Sequence, residues 1–333
     1  MSPCQNKGCP TLGWVYVTHV CRRWRVIAIG HRALWTTLHT EYFALWDVFL
    51  QRAGGLPLNI VELDVFRRIS DDDLAKAIMP ILPSAKSISL WSTERLPKDL
   101  GCLANCDLME DLTLSTIYSA IRATSLPSFH ANLRSLSLKS VLYEWNFRAV
   151  GLRKLEFVML ENPFPVDTMW RSCFMDVLDT LKEMPFLEQL NLSHVMPSPP
   201  AFIDTNQRIA LPHLRELTLR GITSSCTTLW SLLDLPAETS ITIDCCDTFM
   251  TAADLQLLSE SLRARFTYAS VPVYSEVVVV EIDSENRPST LWLEVGHSDA
   301  YFGINKARRS TTLPLDTSII RLMVPGFMDY LLD

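Results

Sequence analysis

One pattern limits the architectures open to this chain more than any other: an apolar residue, two free positions, a leucine, one free position and another leucine or large apolar residue. It occurs at Met109-Leu112-Leu114, Leu133-Leu136-Leu138, Leu152-Leu155-Phe157, Leu187-Leu190-Leu192 and Leu214-Leu217-Leu219, and weaker copies end in Ile88-Leu90 and Ile241-Ile243. The middle apolar residues, at 88, 112, 136, 155, 190, 217 and 241, stand 24, 24, 19, 35, 27 and 24 residues apart. Recurrence at such a period marks stacked supersecondary units. In each copy the Leu-x-Leu pair sends two alternate side chains of a short strand to one side, and the residue between them faces the other way. One copy cannot bury its apolar side, whereas a stack of copies can.

The fold expected is therefore α/β: an irregular solenoid in the period range of leucine-rich repeats, with a parallel sheet along one side and helices or irregular segments along the other. Val141, Leu160, Val195 and Ile222 stand where such repeats commonly place asparagine, which makes the array irregular. Spacers read as helices at Asp71–Met79, Val166–Met184 and Asp254–Phe266, the first two stopped by Pro80 and Pro185. Met196–Gln207 is proline-rich and reads as a projecting loop. Val273–Ile282 and Thr290–Val295 read as two paired strands that close the open end of the array. The outward residues of the repeat strands, Ser137, Glu156, Asn191, Thr218 and Thr242, form a mostly polar row expected to be the target-binding face.

Ahead of the repeats, Val17, Val20, Cys21, Trp24, Ile27 and Ala28 follow the spacing of one buried helix face, with Arg22, Arg23 and Arg25 on the opposite side. Gly30 stands where a left-handed residue would end that helix, and Ala33-Leu34-Trp35 begins a second short apolar element. The wording Val20-Cys21-Arg22-Arg23-Trp24-Arg25, followed by Leu34-Trp35, resembles the C-terminal half of the F-box in the large F-box-like families of mushroom-forming fungi. Trp46–Leu63, a helix leading into a proline-marked strand, is similar to the segment that follows the box there. In that family an apolar helix with a leucine-proline start comes first. Met1–Thr11 is polar, holds two prolines and cannot form it, so the box is read as truncated or as beginning upstream.

The division expected is a truncated F-box-like module over 1–55, a leucine-rich-repeat-like solenoid over 56–265 and a β-containing cap over 266–333. By resemblance, the module docks onto a Skp-type adaptor of a cullin-based ubiquitin ligase, and the repeats hold a target protein. Val17, Cys21, Trp24 and Leu34 are expected to form the module's core, and Trp14, Leu34 and Trp35 to touch the adaptor. A second reading is a repeat scaffold that no longer binds the adaptor, and an intact upstream helix would discriminate the two.

Other classes find little support. A formal charge of -7 argues against a nucleic-acid binder, which needs a concentrated basic face. The longest aliphatic run, Val277–Val280, is far too short for a bilayer, and no leader pattern is present, so a cytoplasmic or nuclear protein without a membrane partner is expected. The nine cysteines form no paired C-x-x-C units. Cys4, Cys9, His19 and Cys21 come closest to a zinc set but lack ligand rhythm, so neither metal nor cofactor is expected. Seven scattered histidines and 11 glycines form neither a nucleophile motif nor a phosphate loop, and the chain is read as a non-enzyme.

Overall fold

The computed structural model describes residues 19–62, 71–91, 103, 106–115, 121–122, 132–159, 173–200, 202–203, 208–236, 239–245, 275–282 and 288–296. It has two compact units, Met1–Tyr143 and Glu144–Asp333. The first contains α1 (Arg22–Gly30), β1 (Thr37–His39), α2 (Trp46–Ala53), β2 (Leu58–Val61), α3 (Asp71–Ile78), β3 (Ala85–Trp91), β4 (Asp111–Ser115), β5 (Ile121–Arg122), β6 (Ser135–Lys139) and β7 (Val141–Leu142). Strands β1, β2, β3, β4 and β6 pair in that order, all parallel, and β5 pairs with β7 separately. The second contains β8 (Lys154–Val158), α4 (Phe174–Lys182), β9 (Gln189–Ser193), β10 (Ile209–Ala210), β11 (Glu216–Gly221), α5 (Thr223–Leu232), β12 (Leu233–Asp234), β13 (Ser240–Cys245), β14 (Ser275–Ile282) and β15 (Pro288–Gly296). Here β8, β9, β11 and β13 run parallel, and β15 then β14 continue the sheet antiparallel. The chain is thus α/β with largely parallel sheets.

The repeated leucines fix the register. Ile88, Leu112 and Leu136 are direct partners across three strands, as are Leu90, Leu114 and Leu138. In the second unit Leu155, Leu190, Leu217 and Ile241 form one such line, and Phe157, Leu192, Leu219 and Ile243 form the next. All of these side chains are buried. A slip of one residue would exchange the buried and exposed sets, so this alignment is strongly specified. Five strands, β4, β8, β9, β11 and β13, are entered through the same tight turn, in which the amides of Met109, Leu152, Leu187, Leu214 and Thr239 donate to the carbonyls three residues earlier, of Cys106, Ala149, Met184, Leu211 and Pro236. Strands are left through a residue of positive φ: Ser140 and His194 at 57° and Gly221 at 146°.

The spacers follow their sequences in part. α3 and β3 lie where the pattern places them, and α4 fills the later part of Val166–Met184, started by the Asp176 carboxylate accepting from the Cys173 amide at 2.7 Å. Asp254–Phe266 lies outside the described residues. α5 has no counterpart in the sequence reading. The left-handed cap is Gly54 (φ 60°), at the end of α2, whereas Gly30 is a helical residue followed by His31 at φ -86°. β1 and β2, on either side of residue 55, are paired, as are β13 and β15, on either side of residue 265. Among the described residues no helix is long and apolar enough to cross a membrane.

Candidate functional site

The N-terminal region is organised by Trp35. Its indole N–H donates to the carbonyl of Ala28 at 3.0 Å, one of the acceptors that the last turn of α1 leaves without a helical partner. The ring meets Phe49 of α2 edge-on with centroids 5.1 Å apart, and the Arg52 guanidinium lies 4.1 Å from its centre on the face. Trp46 is held in the same way, its N–H on the His39 carbonyl at 2.9 Å. Trp35 is consequently only 4% exposed and belongs to the core of the module, not to a free adaptor-facing surface.

Trp24 takes the opposite role. It is 53% exposed, Cys21 is exposed as well, and neither forms the core that their spacing predicts. Ala28 is the one buried residue of α1. The physical reason is position: Trp35, past the end of α1, reaches a carbonyl that the helix leaves free and packs against Phe49, whereas Trp24 stands in the first turn of the helix. Trp24 and Ile27 (59%) are exposed one turn apart on α1, Val26 and Ile29 are exposed on the same helix, and Val20 (67%) is exposed just ahead of it. Arg22, Arg23 and Arg25 interleave with these residues, and the segment 19–40 contains no acidic residue. Leu34 is half-buried. Trp14 and Val17 lie outside the described residues.

The polar row of the repeat strands is the second candidate surface. Glu156, Asn191, Thr218 and Thr242 are successive partners across β8, β9, β11 and β13, and each is half-buried. In the first unit Ser137 is in line with Thr113 and Ser89, but it is 4% exposed, so it does not belong to an accessible face. Beyond the row in the second unit, Arg220 closes on Asp244 with Nε 2.7 Å and a terminal nitrogen 2.6 Å from Oδ2. His194 lies beside this pair, and burial, then the Arg220 charge, hold its imidazole below the ordinary range while Asp244 opposes them. Burial lowers His39 too, against Glu41, and pushes the Tyr143 phenol well up. Asp111 is raised by burial and by Glu110, with Lys86 acting against both.

Sequence reading missed a line of charges at the entrance to the strands. Glu110 donates its amide to the Lys86 carbonyl, and Arg134 and Ser135 donate to that of Glu110; Glu188 and Gln189 donate to Arg153, and Arg215 and Glu216 to Glu188. The side chains on these lines alternate in sign, Lys86-Glu110-Arg134 and Arg153-Glu188-Arg215, with ion pairs of 3.1 Å for Lys86–Glu110 and 3.0 Å for Arg153–Glu188. The signal was present: each of these charges directly follows the first residue of a repeat.

Among the described residues no group of three or more His, Cys, Asp or Glu side chains is placed to hold a metal. What the arrangement offers is surface: exposed apolar residues interleaved with arginine on α1, and a polar row on a parallel sheet. Comparison with known proteins returns no matching family model, no matching curated protein and no matching solved structure.

Proposed function

We propose that this chain is an F-box-like substrate-recognition subunit of a cullin-based ubiquitin ligase, docking on a Skp-type adaptor through α1 and holding a target protein with an irregular leucine-rich-repeat solenoid. The observation that carries the reading is the exposure of Trp24, Val26, Ile27 and Ile29 on α1, in the segment resembling the F-box. Exposed large apolar residues grouped on one element mark interaction sites, and a tryptophan is the usual energetic centre of such a site. The adaptor contact thus moves from Trp35 to Trp24 and its neighbours, with Trp35 as the buried support that orients α1. Chemistry belongs to the ligase partners, and this chain contributes proximity by raising the effective concentration of target lysines at the transfer site.

A second reading is a repeat scaffold that does not engage the adaptor. Titration of the chain with a recombinant Skp-type adaptor by calorimetry separates the two. The ligase reading expects saturable binding that Trp24→Ala plus Ile27→Ala weakens by at least about tenfold, about 1.4 kcal/mol, with far-UV and near-UV circular dichroism unchanged. Absence of binding by the parent chain, or binding indifferent to the α1 substitutions, removes the adaptor from the proposal and leaves the scaffold.

A further inference from the structure

The proline-rich loop after β9 takes no part in the adaptor reading, and its build in the structure is definite. Val195, Met196 and Pro197 are buried, and the Pro197 carbonyl accepts from the hydroxyl of Ser225, in the first turn of α5, at 3.1 Å. The chain then comes to the surface: Ser198 and Pro200 are exposed, and Phe202 is 96% exposed. Ser198 is thus the first residue beyond a fixed stem.

The neighbours of this serine give it a particular chemistry. Pro199 follows it, and the one other Ser-Pro step in the sequence, Ser2-Pro3, lies outside the described residues. A residue ahead of proline is held out of the helical region in an extended backbone, and Pro199-Pro200 favours the same extended form onward. Proline also has no N–H. An enzyme pocket that is dry and lacks an acceptor at that position takes proline at no loss, whereas any other residue buries an unsatisfied donor there. Extended backbone, an exposed serine and a missing donor one residue on are together what a proline-directed protein kinase selects.

We propose that Ser198 is the phosphate acceptor of a proline-directed protein kinase. In the transfer its Oγ attacks the γ-phosphorus of ATP, the bond from that phosphorus to the bridging oxygen breaks, ADP leaves, and the hydroxyl proton passes to the kinase's base. The stretch from Val195 to Ile203 carries no charged side chain, so the phosphate, at about -1.5 to -2, becomes the dominant charge of the loop. A loop that presents Pro200 and Phe202 to apolar partners then presents an anion to arginine-bearing ones. The modification changes the class of partner that this side of the chain accepts, and it does so whether or not α1 meets an adaptor.

The test uses the full chain, ATP and a recombinant proline-directed kinase of the mitogen-activated class, with a synthetic peptide of residues 194–205 as the fully accessible reference. Intact mass counts the phosphates and fragment spectra locate them, which separates Ser198 from Ser2. The folded chain is expected to be phosphorylated at Ser198 at a rate within about tenfold of the peptide, and a Pro199→Ala variant with unchanged circular dichroism at least about tenfold more slowly than the parent. Ser198→Ala is expected to leave the loop without phosphate. Three results overturn the proposal: no phosphate at Ser198 in either the folded chain or the peptide, modification of the peptide but not of the folded chain, which means that the fold closes the loop to the kinase, or equal rates for the parent and Pro199→Ala, which means that the serine is taken without regard to the proline.

Discussion

Trp35 concentrates three interactions on one side chain: a hydrogen bond to Ala28, an edge-on ring contact with Phe49 and the Arg52 cation over its face. Trp35→Ala is expected to destabilise the fold by about 3–5 kcal/mol, through lost burial and the cavity left behind. Trp35→Phe keeps most of the packing but strands the Ala28 carbonyl, for about 1–3 kcal/mol. Trp24→Ala, on the surface, should stay within about 0.5 kcal/mol. Urea unfolding of the three variants checks the order, and a Trp24 effect equal to that of Trp35 would return Trp24 to the core. Periodicity could not tell the two tryptophans apart, since both lie on apolar spacings; they differ in place, Trp35 lying past the end of α1 against Phe49 and Trp24 in the first turn of the helix. His194 adds a pH signature. Its folded pKa lies below the 6.5 of the unfolded chain, so as the pH falls below about 6.5 the unfolded state takes up protons that the folded state resists, and stability is lost through that window. His194→Asn, chosen because asparagine tolerates the left-handed backbone at this position, should flatten that loss between pH 7 and 5.5 in urea midpoints. An unchanged slope would place the dependence elsewhere, His39 being the next group shifted in the same direction.

The strands were the elements most open to sequence reading, because Leu-x-Leu states both the period and the buried side, and the structure aligns those residues as direct partners. α5 was not legible for the opposite reason. Thr223–Leu232 reads TSSCTTLWSL, poor in helix formers and without an apolar stripe, and most of its residues are buried around the whole circumference. Tertiary surroundings make that helix: most of its side chains are buried and the Ser225 hydroxyl donates to the Pro197 carbonyl at 3.1 Å, while the Thr227 hydroxyl bonds back within the helix to the Thr223 carbonyl at 2.8 Å. The alternating charges at the strand entrances act at this same scale, favouring the native order of neighbours over a slipped one. Glu188→Lys removes the partner of Arg153 and sets three cations in line, for an expected loss of about 0.5–1 kcal/mol, given that Arg153 is well exposed. The loss should shrink when sodium chloride is raised to about 1 M, where screening acts over about 3 Å. Adding Arg153→Glu should recover part of it. A salt-independent loss would mean that packing of the glutamate stem, not its charge, is what matters at this position.

At the level of the whole molecule, composition and the N-terminal motif suggested a helical module, a repeat array and a cap, whereas the structure divides after Tyr143. Thr37–His39, too short to stand out as a strand in the sequence, pairs with β2 and belongs to the same sheet. β15 extends the second sheet beside β13. A chain built by adding strands to a sheet has an energetic consequence that its contacts alone do not state. In a stack each unit is stabilised by its immediate neighbours, so damage in one strand should spread outward and fade. Leu190, the second residue of β9, is fully buried between Leu155 and Leu217, and Leu190→Ala should remove about 2–5 kcal/mol locally. Amide hydrogen exchange on this variant is expected to show the largest loss of protection in β9, a smaller one in β8 and β11, and little change in β2 and β3. Equal loss in every strand would instead mean that the chain unfolds as one cooperative body, and the repeats would then be a sequence pattern without energetic independence.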